Sequence, residues 1–381
     1  MKFLHISDLH IGKRVHEFSM IEDQKYILYQ ILNIAKDSRA DGVLIAGDIY
    51  DKTVPSAEAV QLFDRFLTGL ADLNKKVFAI SGNHDSAERI AFGAHLMSRS
   101  DVYVSPVYDG TVSKITLEDG YGKLHVYLLP FLKPASVRHA LEGKTDGALP
   151  ESYQDAVQAA VERISADCGE RNILVAHQFV TGAGRCESEE VIVGGLDNID
   201  AGLFDAFDYV ALGHIHSPQS VGRETVRYCG TPLKYSFSEA KQTKSVTIVE
   251  FREKGQISID TVPLVPLHDM RQIRGTYLEV TARSFYEGTD TEDYIGVTLT
   301  DEEDVPNGMQ KLRIIYPNLM RLEYDNSRTR QSREIEAVKD VEQKTGAELF
   351  AEFYELQNNA PMSDVQAAYI RQLMEQIGGM G

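Results

Sequence analysis

Ser81-Gly82-Asn83-His84-Asp85 follows directly on the apolar run Val77-Phe78-Ala79-Ile80. Three adjacent side chains able to bind metal or move protons therefore stand where a short strand stops at a glycine, on a turn at the strand's end. One Gly-Asn turn with a histidine beside it is ordinary loop chemistry, but this arrangement recurs. Lys2 to Ser7 reads as a short buried strand running into Asp8-Leu9-His10. Asp41-Gly42 introduces Val43-Leu44-Ile45-Ala46, which ends in Gly47-Asp48. Asn172 to Ala176 ends at His177, and Tyr209 to Leu212 ends at Gly213-His214-Ile215-His216.

Helices are expected between the first three strands. Met20 to Lys36 carries Ile21, Ile27, Leu28, Ile31 and Ile34 at helical spacing, and a second stripe runs through Val60, Leu62, Phe63, Phe66, Leu67 and Leu70. This order predicts α/β layers with the strand ends gathered on one edge of one sheet. Later, Leu124 to Leu129 reads as a strand and Tyr153 to Ile164 as a helix. Val226 to Cys229, Ser245 to Phe251 and Ile257 to Val262 have no helix between them, which predicts meander pairing. Pro263 and Pro266 mark a boundary, so the first domain is expected over residues 1–265. Residues 270–325, with β-like Thr276 to Val280 and Tyr294 to Leu299 and a helical Met309 to Ile315, predict a small α+β domain. Residues 326–345 are highly charged and read as a linker or solvated helix. In 346–381, Leu349, Phe350, Phe353 and Leu356 form one stripe, and Ile370, Leu373, Met374 and Ile377 another. Two such short helices bury little alone and are expected to dock, either on the chain's own core or on a partner.

Composition narrows the function classes. A length of 381 residues predicts two or three domains. A formal charge of −18 opposes nonspecific attraction to a polyanion. Part of that charge is local, however: eight carboxylates and no Lys or Arg lie between Glu287 and Asp304. Cys168, Cys186 and Cys229 are far apart and form no CxxC, which argues for a reducing compartment and against a disulfide or zinc framework. The first residues turn polar too soon for a secretory leader, and no run approaches the ~20 apolar residues of a membrane span. A soluble, cytoplasmic protein without a membrane partner is expected. Gly143-Lys144-Thr145 ends like a phosphate-binding loop, but Arg138 stands where that motif needs glycine. Any ATP dependence is expected to come from a partner chain.

Asp8, His10, Asp48, Asn83, His84, His177, His214 and His216 thus form one constellation of strand-end residues. Carboxylate, imidazole and amide ligands without thiolate suit Mn²⁺, Fe²⁺ or Zn²⁺, and their number is enough for two ions. Two ions ~3.5–4 Å apart clamp a phosphate and activate a water for in-line attack. Asp48 is the expected bridging carboxylate, having two oxygens and a charge that offsets the ions' repulsion. His84 is the expected metal-free imidazole, placed to steady the phosphate or protonate the leaving oxygen. Asp51 and Asp85 read either as residues that orient ligands or as turn formers. Lys13 and Arg14 read either as phosphate contacts or as a solvated pair.

In order and with no block missing, Asp8-x-His10, Gly47-Asp48, Gly82-Asn83-His84-Asp85, His177 and Gly213-His214-x-His216 resemble the calcineurin-like metallophosphoesterases. Ser7-Asp8-Leu9-His10-Ile11-Gly12-Lys13, Gly230-Thr231-Pro232-Leu233-x-x-Ser236-Phe237-Ser238-Glu239-Ala240 and Leu349-Phe350-Ala351-Glu352-Phe353-Tyr354 further resemble the SbcD-type nuclease subunits of bacterial double-strand-break complexes. That resemblance spans nearly the whole chain and is weakest in the middle domain and linker. It implies an α/β fold, a β-sandwich flanked by helices with a small α+β cap and a C-terminal helical pair. It implies one ion on Asp8, His10, Asp48 and His216, a second on Asp48, Asn83, His177 and His214, His84 as the catalytic histidine, and Mn²⁺ as the working metal. It also implies DNA as substrate, cut as a double-strand exonuclease and a single-strand or hairpin endonuclease. The partner implied is an SbcC-type coiled-coil ATPase gripped by 346–381, around a homodimer within a heterotetramer, with 270–325 capping the DNA. Thr231 replaces the more usual serine, and the acidity of the middle domain departs from a DNA-contacting surface. Two competing readings are a small-substrate phosphatase or phosphodiesterase, for which the extra domain and helices serve no purpose, and a non-enzymatic scaffold, against which the full ligand set argues.

Overall fold

The computed structural model describes residues 1–144, 149–189, 198–327, 329, 350–351, 354, 362–363 and 366–370. Most of the expected charged linker over 326–345 and most of the apolar stripes of 346–381, Leu349, Phe353, Leu356, Leu373, Met374 and Ile377 among them, lie outside the described residues. The chain divides into two units. One comprises Met1–Ile273, Gly288–Val297 and Leu312–Arg321; the other comprises Arg274–Glu287, Thr298–Lys311 and the described residues from Leu322 onward.

The first unit is built on two six-stranded sheets. One runs, edge to edge, Ile257–Pro263, Ser245–Phe251, Lys2–Ile6, Gly42–Ala46, Lys76–Ile80 and Val102–Val104. The other runs Gln219–Val221, Arg223–Tyr228, Tyr209–Gly213, Arg171–His177, Gly122–Leu129 and Ser113–Asp119. Both are parallel at the centre: Lys2–Ile6, Gly42–Ala46 and Lys76–Ile80 in the first, and Gly122–Leu129, Arg171–His177 and Tyr209–Gly213 in the second. Strands covered on both faces need apolar residues at every position, which is why Val43-Leu44-Ile45-Ala46 shows no polar alternation. The inward set, Phe3, Leu44, Phe78 and Ile80, meets Val126, Leu128, Ile173, Val175 and Tyr209 of the other sheet. Phe3 lies edge-on to Phe78 and to Phe251, with ring centroids 6.0 Å apart in each pair. Each such ring contributes about 1.5–3 kcal/mol on burial.

The opposite set of side chains faces helices. Leu4, Val43, Ile45 and Val77 pack with Ile27, Leu28 and Ile31 of helix Ile21–Asp37 and with Leu62, Phe66 and Leu70 of helix Ala57–Asp72. The second helix starts at Ser56, whose hydroxyl accepts from the Ala59 amide at 3.2 Å, a cap worth about 1 kcal/mol. On the second sheet, Leu174, Val210 and Leu212 pack with Val137, Ala156, Val157 and Ala160 of helices Pro134–Leu141 and Tyr153–Val161.

Three sequence expectations are corrected. The strand ends do not share one sheet: Asp8, Asp48 and Asn83 follow strands of the first, while His177 and His214 follow strands of the second. Meander pairing holds only for Ser245–Phe251 with Ile257–Pro263. Arg223–Tyr228 lies parallel to Tyr209–Gly213, and Ser245–Phe251 crosses to the first sheet to pair antiparallel with Lys2–Ile6. In the second unit, β-like Thr276 to Val280 is instead the start of helix Tyr277–Thr281, nucleated by a capping box between Thr276 and Glu279.

Candidate metal centre

Parallel strands end on the same edge, and stacking two such sheets brings two sets of strand-end residues face to face. The backbone that carries them departs from ordinary strand geometry. Asp8, His10, Asp48 and His214 all take left-handed φ, at 53°, 42°, 48° and 101°. Each non-glycine residue there costs roughly 1–2 kcal/mol, a strain the surrounding contacts hold in place. Two glycines of the sequence motifs are required by close approach. A Cβ on Gly47, itself at φ +86°, would meet the His177 ring, and one on Gly213 would meet the Ala46 carbonyl and the same ring.

The side chains converge as two groups about Asp48. On one side, His10 Nε2 and His216 Nε2 lie 3.2 Å apart, and Asp8 completes a set whose ligand atoms are mutually within 4.8 Å. On the other, Asn83 Oδ1 is 3.0 Å from His177 Nε2 and 3.0 Å from His214 Nδ1. Asp48 Oδ2 reaches both, at 3.8 Å from His10 Nε2 and 3.4 Å from His177 Nε2. His84 stands at the rim, half-buried, with Nε2 4.0 Å from Asp48 Oδ2, its Nδ1 3.0 Å from the Asp51 carbonyl and its amide donating to Asp48 Oδ1 at 2.9 Å. All eight residues expected from the sequence are therefore brought together.

Family models agree with this geometry. Residues 1–218 match the model described as calcineurin-like phosphoesterase, more than half of the chain. The chain belongs to that family. Residues 266–358 match a second model, SbcD_C, described as the type 5 capsule protein repressor C-terminal domain. The SbcD component of the nuclease SbcCD from Staphylococcus epidermidis is 30% identical, with 98% of each chain covered, which places the chain in the SbcD branch of the calcineurin-like phosphoesterases. Two solved structures overlap it more loosely. A dimetal phosphatase from Danio rerio is 10% identical over 69% of this chain and 96% of its own, with a TM-score of 0.41. The calcineurin-like phosphoesterase YfkN from Bacillus subtilis is 11% identical over 69% and 90%, with a TM-score of 0.36.

The electrostatics of this calcineurin-like centre are those of a site made for cations. Burial pushes the Asp8 carboxyl up to about 7, despite the His177 charge nearby. Burial also opposes the charge of Asp48, yet His177, with His10 and His84, holds that carboxyl well below the usual range. His177 is likewise penalised by burial, but Asp48 beside it lifts it to about 9. Burial drives His214 down to about 3, with the His177 charge adding to the effect, and pushes His10 well down too. The outcome is a cluster in which His10 and His214 are held neutral beside a charged His177. His10 Nδ1, also buried, has no hydrogen-bond partner among the described residues. Ring nitrogens converging at 3.2 Å beside buried carboxylates and an amide oxygen are a donor set that fits divalent cations.

Several supporting residues were open or unread in the sequence. Asp85 accepts from the amides of Gly82, Ile49 and Tyr50 at 2.9–3.0 Å, so it ties together the turns that carry Asp48 and Asn83. Asp51 takes Lys13 Nζ at 2.8 Å, which makes Lys13 one half of an ion pair behind His84. Arg14 is exposed and donates to the Glu17 carbonyl. Ser7 Oγ donates to Asp8 Oδ2 at 2.5 Å, and Glu189 accepts the His216 amide at 2.6 Å. Ser7 could have been found as the residue before Asp8, the first of the strand-end candidates; Glu189 carries no local signal.

Proposed function

We propose that the chain is a metal-dependent DNA nuclease that hydrolyses phosphodiester bonds at a two-cation centre and works as the nuclease component of an SbcC–SbcD-type complex. As a member of the SbcD branch it is a phosphodiester hydrolase. The observation that carries the mechanism is the bridging position of Asp48 between the His10–His216 pair and the His177–Asn83–His214 group. One ion is assigned to Asp8, His10, Asp48 and His216, and the other to Asp48, Asn83, His177 and His214. The mixed nitrogen and oxygen donors suit Mn²⁺, Fe²⁺ or Zn²⁺, and the resemblance to the SbcD-type subunits selects Mn²⁺ among them.

When bound, the two cations supply Lewis acidity and a water acidic enough to attack phosphorus near neutral pH. The remaining work falls to the chain's own side chains. His84 donates its Nδ1 proton to the Asp51 carbonyl, which turns Nε2 towards the centre, where a ring protonated at Nε2 as well would steady a phosphate oxygen and pass that second proton to the leaving one. Lys13 neutralises Asp51 and so keeps a second negative charge away from the approaching phosphate.

The larger assignments are what the resemblance to SbcD-type subunits implies; the relative's name, a subunit of the nuclease SbcCD, supports a partner subunit. Residues 270–325 cap the DNA, the C-terminal segment of 346–381 grips a coiled-coil ATPase, and two copies pair within a heterotetramer. Among the described residues no helix is long and apolar enough to cross a membrane, and we assign the protein to the cytoplasm.

The test is cleavage of linear double-stranded DNA with Mn²⁺, with a small phosphodiester in parallel and His84→Ala as control. Degradation that falls by about 100-fold or more in the variant, with metal content unchanged, is the expected result. Turnover of the small ester alone would instead mark a small-substrate phosphodiesterase.

A further inference from the structure

The Ser236-Phe237-Ser238-Glu239 stretch carries part of the family resemblance, yet none of its residues belongs to either ligand set. Glu239 lies on the short turn Phe237–Glu239 and is 0% exposed. One carboxylate oxygen, Oε2, takes Lys244 Nζ at 2.6 Å, and Lys244 is itself buried. The other, Oε1, accepts from Ser188 Oγ at 2.5 Å, Ser236 Oγ at 2.9 Å and the Tyr235 amide at 3.3 Å. A buried ion pair is often no more stabilising than apolar residues of the same shape, so its presence calls for a role beyond stability.

Ser188 supplies that role. A hydroxyl has one proton, and Ser188 gives it to Glu239, so towards His216 Nδ1, 2.6 Å away, the same oxygen acts only as an acceptor. The His216 proton is thereby placed on Nδ1 and the lone pair on Nε2, the atom that faces His10 Nε2 at 3.2 Å. Lys244 closes the circuit by donating to the His216 carbonyl at 2.9 Å, which anchors the backbone that carries the ring. Tyr235 adds a wall. Its ring lies edge-on to both His10 and His216, with centroids 5.7 and 6.3 Å away, and its hydroxyl donates to the Leu9 carbonyl at 2.6 Å.

We propose that Glu239 is a positioning residue which, through Ser188, holds His216 with its proton on Nδ1 and so sets the cation affinity of the half-site made by Asp8, His10 and His216. The inference rests on the two-cation reading above and adds to it the device that tunes one half. It requires an asymmetry, because Glu239 touches nothing in the His177–Asn83–His214 half. Loss of a carboxylate or hydroxyl that orients a ligating imidazole typically lowers metal affinity 10–100-fold.

The experiment is calorimetric titration of the full, metal-free chain with Mn²⁺ alone, comparing the parent with Ser188→Ala, Ser188→Thr, Glu239→Gln and the double variant Glu239→Gln/Lys244→Met. The parent takes up two ions. Ser188→Ala and Glu239→Gln each weaken one binding event by about 10–100-fold and leave the other within about twofold, while Ser188→Thr, which restores the hydroxyl, binds like the parent. Ring ¹⁵N shifts of His216 in the metal-free chain, identified by their loss in His216→Gln, report Nδ1–H in the parent and a tautomer mixture in Ser188→Ala. Ser188 is half-buried on a loop, so Ser188→Ala decides the matter even if Glu239→Gln fails to fold. Two unchanged binding events in Ser188→Ala overturn the positioning role while leaving the two-cation reading intact. Uptake of fewer than two ions by the parent overturns the reading and this inference with it.

Discussion

His5 is a histidine that the centre does not use, and its surroundings fix its charge. Its Nδ1 is 2.9 Å from the Tyr209 hydroxyl and its Nε2 3.2 Å from the Leu212 carbonyl, so a neutral ring donates from Nε2 and accepts at Nδ1. Burial, and then the Arg227 charge, lower its affinity for a proton to about pH 3. The unfolded chain binds that proton from about pH 6.5 downward, so the stability His5 confers is complete above about 6.5 and is lost as the pH falls towards 3, by at most ~1.4 kcal/mol per pH unit. His5→Gln keeps one donor and one acceptor without titrating. Urea unfolding of the variant is expected to show a shallower loss of stability between about pH 6.5 and pH 4.5 than the parent, and equal slopes would rule out the burial argument. Asp85 belongs to the same scale. Asp85→Ala strands three backbone donors at Gly82, Ile49 and Tyr50, so a loss of about 3 kcal/mol is expected, with metal content falling because Asp48 and Asn83 lose their anchor. Thermal denaturation and metal analysis of the purified variant measure both. The residues that converge at the centre were legible in the sequence because each stands where an apolar run ends at a Gly or polar residue. Ser188 and Glu239 were not, since 51 positions separate them and neither follows a strand.

At the scale of elements, composition misled where local capping chemistry decided the outcome. Thr276 to Val280 is β-branched and aromatic in character and too short to display a 3.6-residue period, so it reads as a strand. The Thr276 hydroxyl instead accepts the Glu279 amide at 3.3 Å, and Glu279 returns to the Thr276 amide at 2.7 Å. Thr-x-x-Glu was the available signal. Removing the hydroxyl with Thr276→Ala is expected to cost about 1 kcal/mol, seen as roughly fivefold faster hydrogen exchange across residues 277–281, with Thr276→Ser close to the parent. Unchanged exchange in Thr276→Ala would mean that the helix is held by packing alone. The strands were legible individually, since runs such as Val77-Phe78-Ala79-Ile80 have no competing helical pattern. Their division between two sheets was not, because pairings such as Leu4 with Ile248 join residues that no local pattern connects.

At the scale of the molecule, the two sheets deliver to one edge carboxylates and imidazoles whose charges, without cations, are balanced by protons. Without metal at neutral pH, His177 keeps its proton, having been lifted to about 9 chiefly by Asp48 against the penalty of burial, and Asp8, raised by burial to about 7, is about half protonated. Both are assigned as ligands, and a ligand must give up its proton to bind metal. Mn²⁺ uptake at pH 7 is therefore expected to release between about one and two protons, and affinity to rise with pH until about 9, where His177 is itself half deprotonated. The same uptake stabilises the native state, by about 2.7 kcal/mol per site at a free Mn²⁺ concentration of ~100 times Kd, so chelation should lower the melting temperature by several degrees. Calorimetry in two buffers of different protonation enthalpy counts the protons directly. A count near zero at pH 7, with two ions still bound, would mean that His177 and Asp8 are already deprotonated in the metal-free fold, and that Asp48 is not held ionised by a protonated His177.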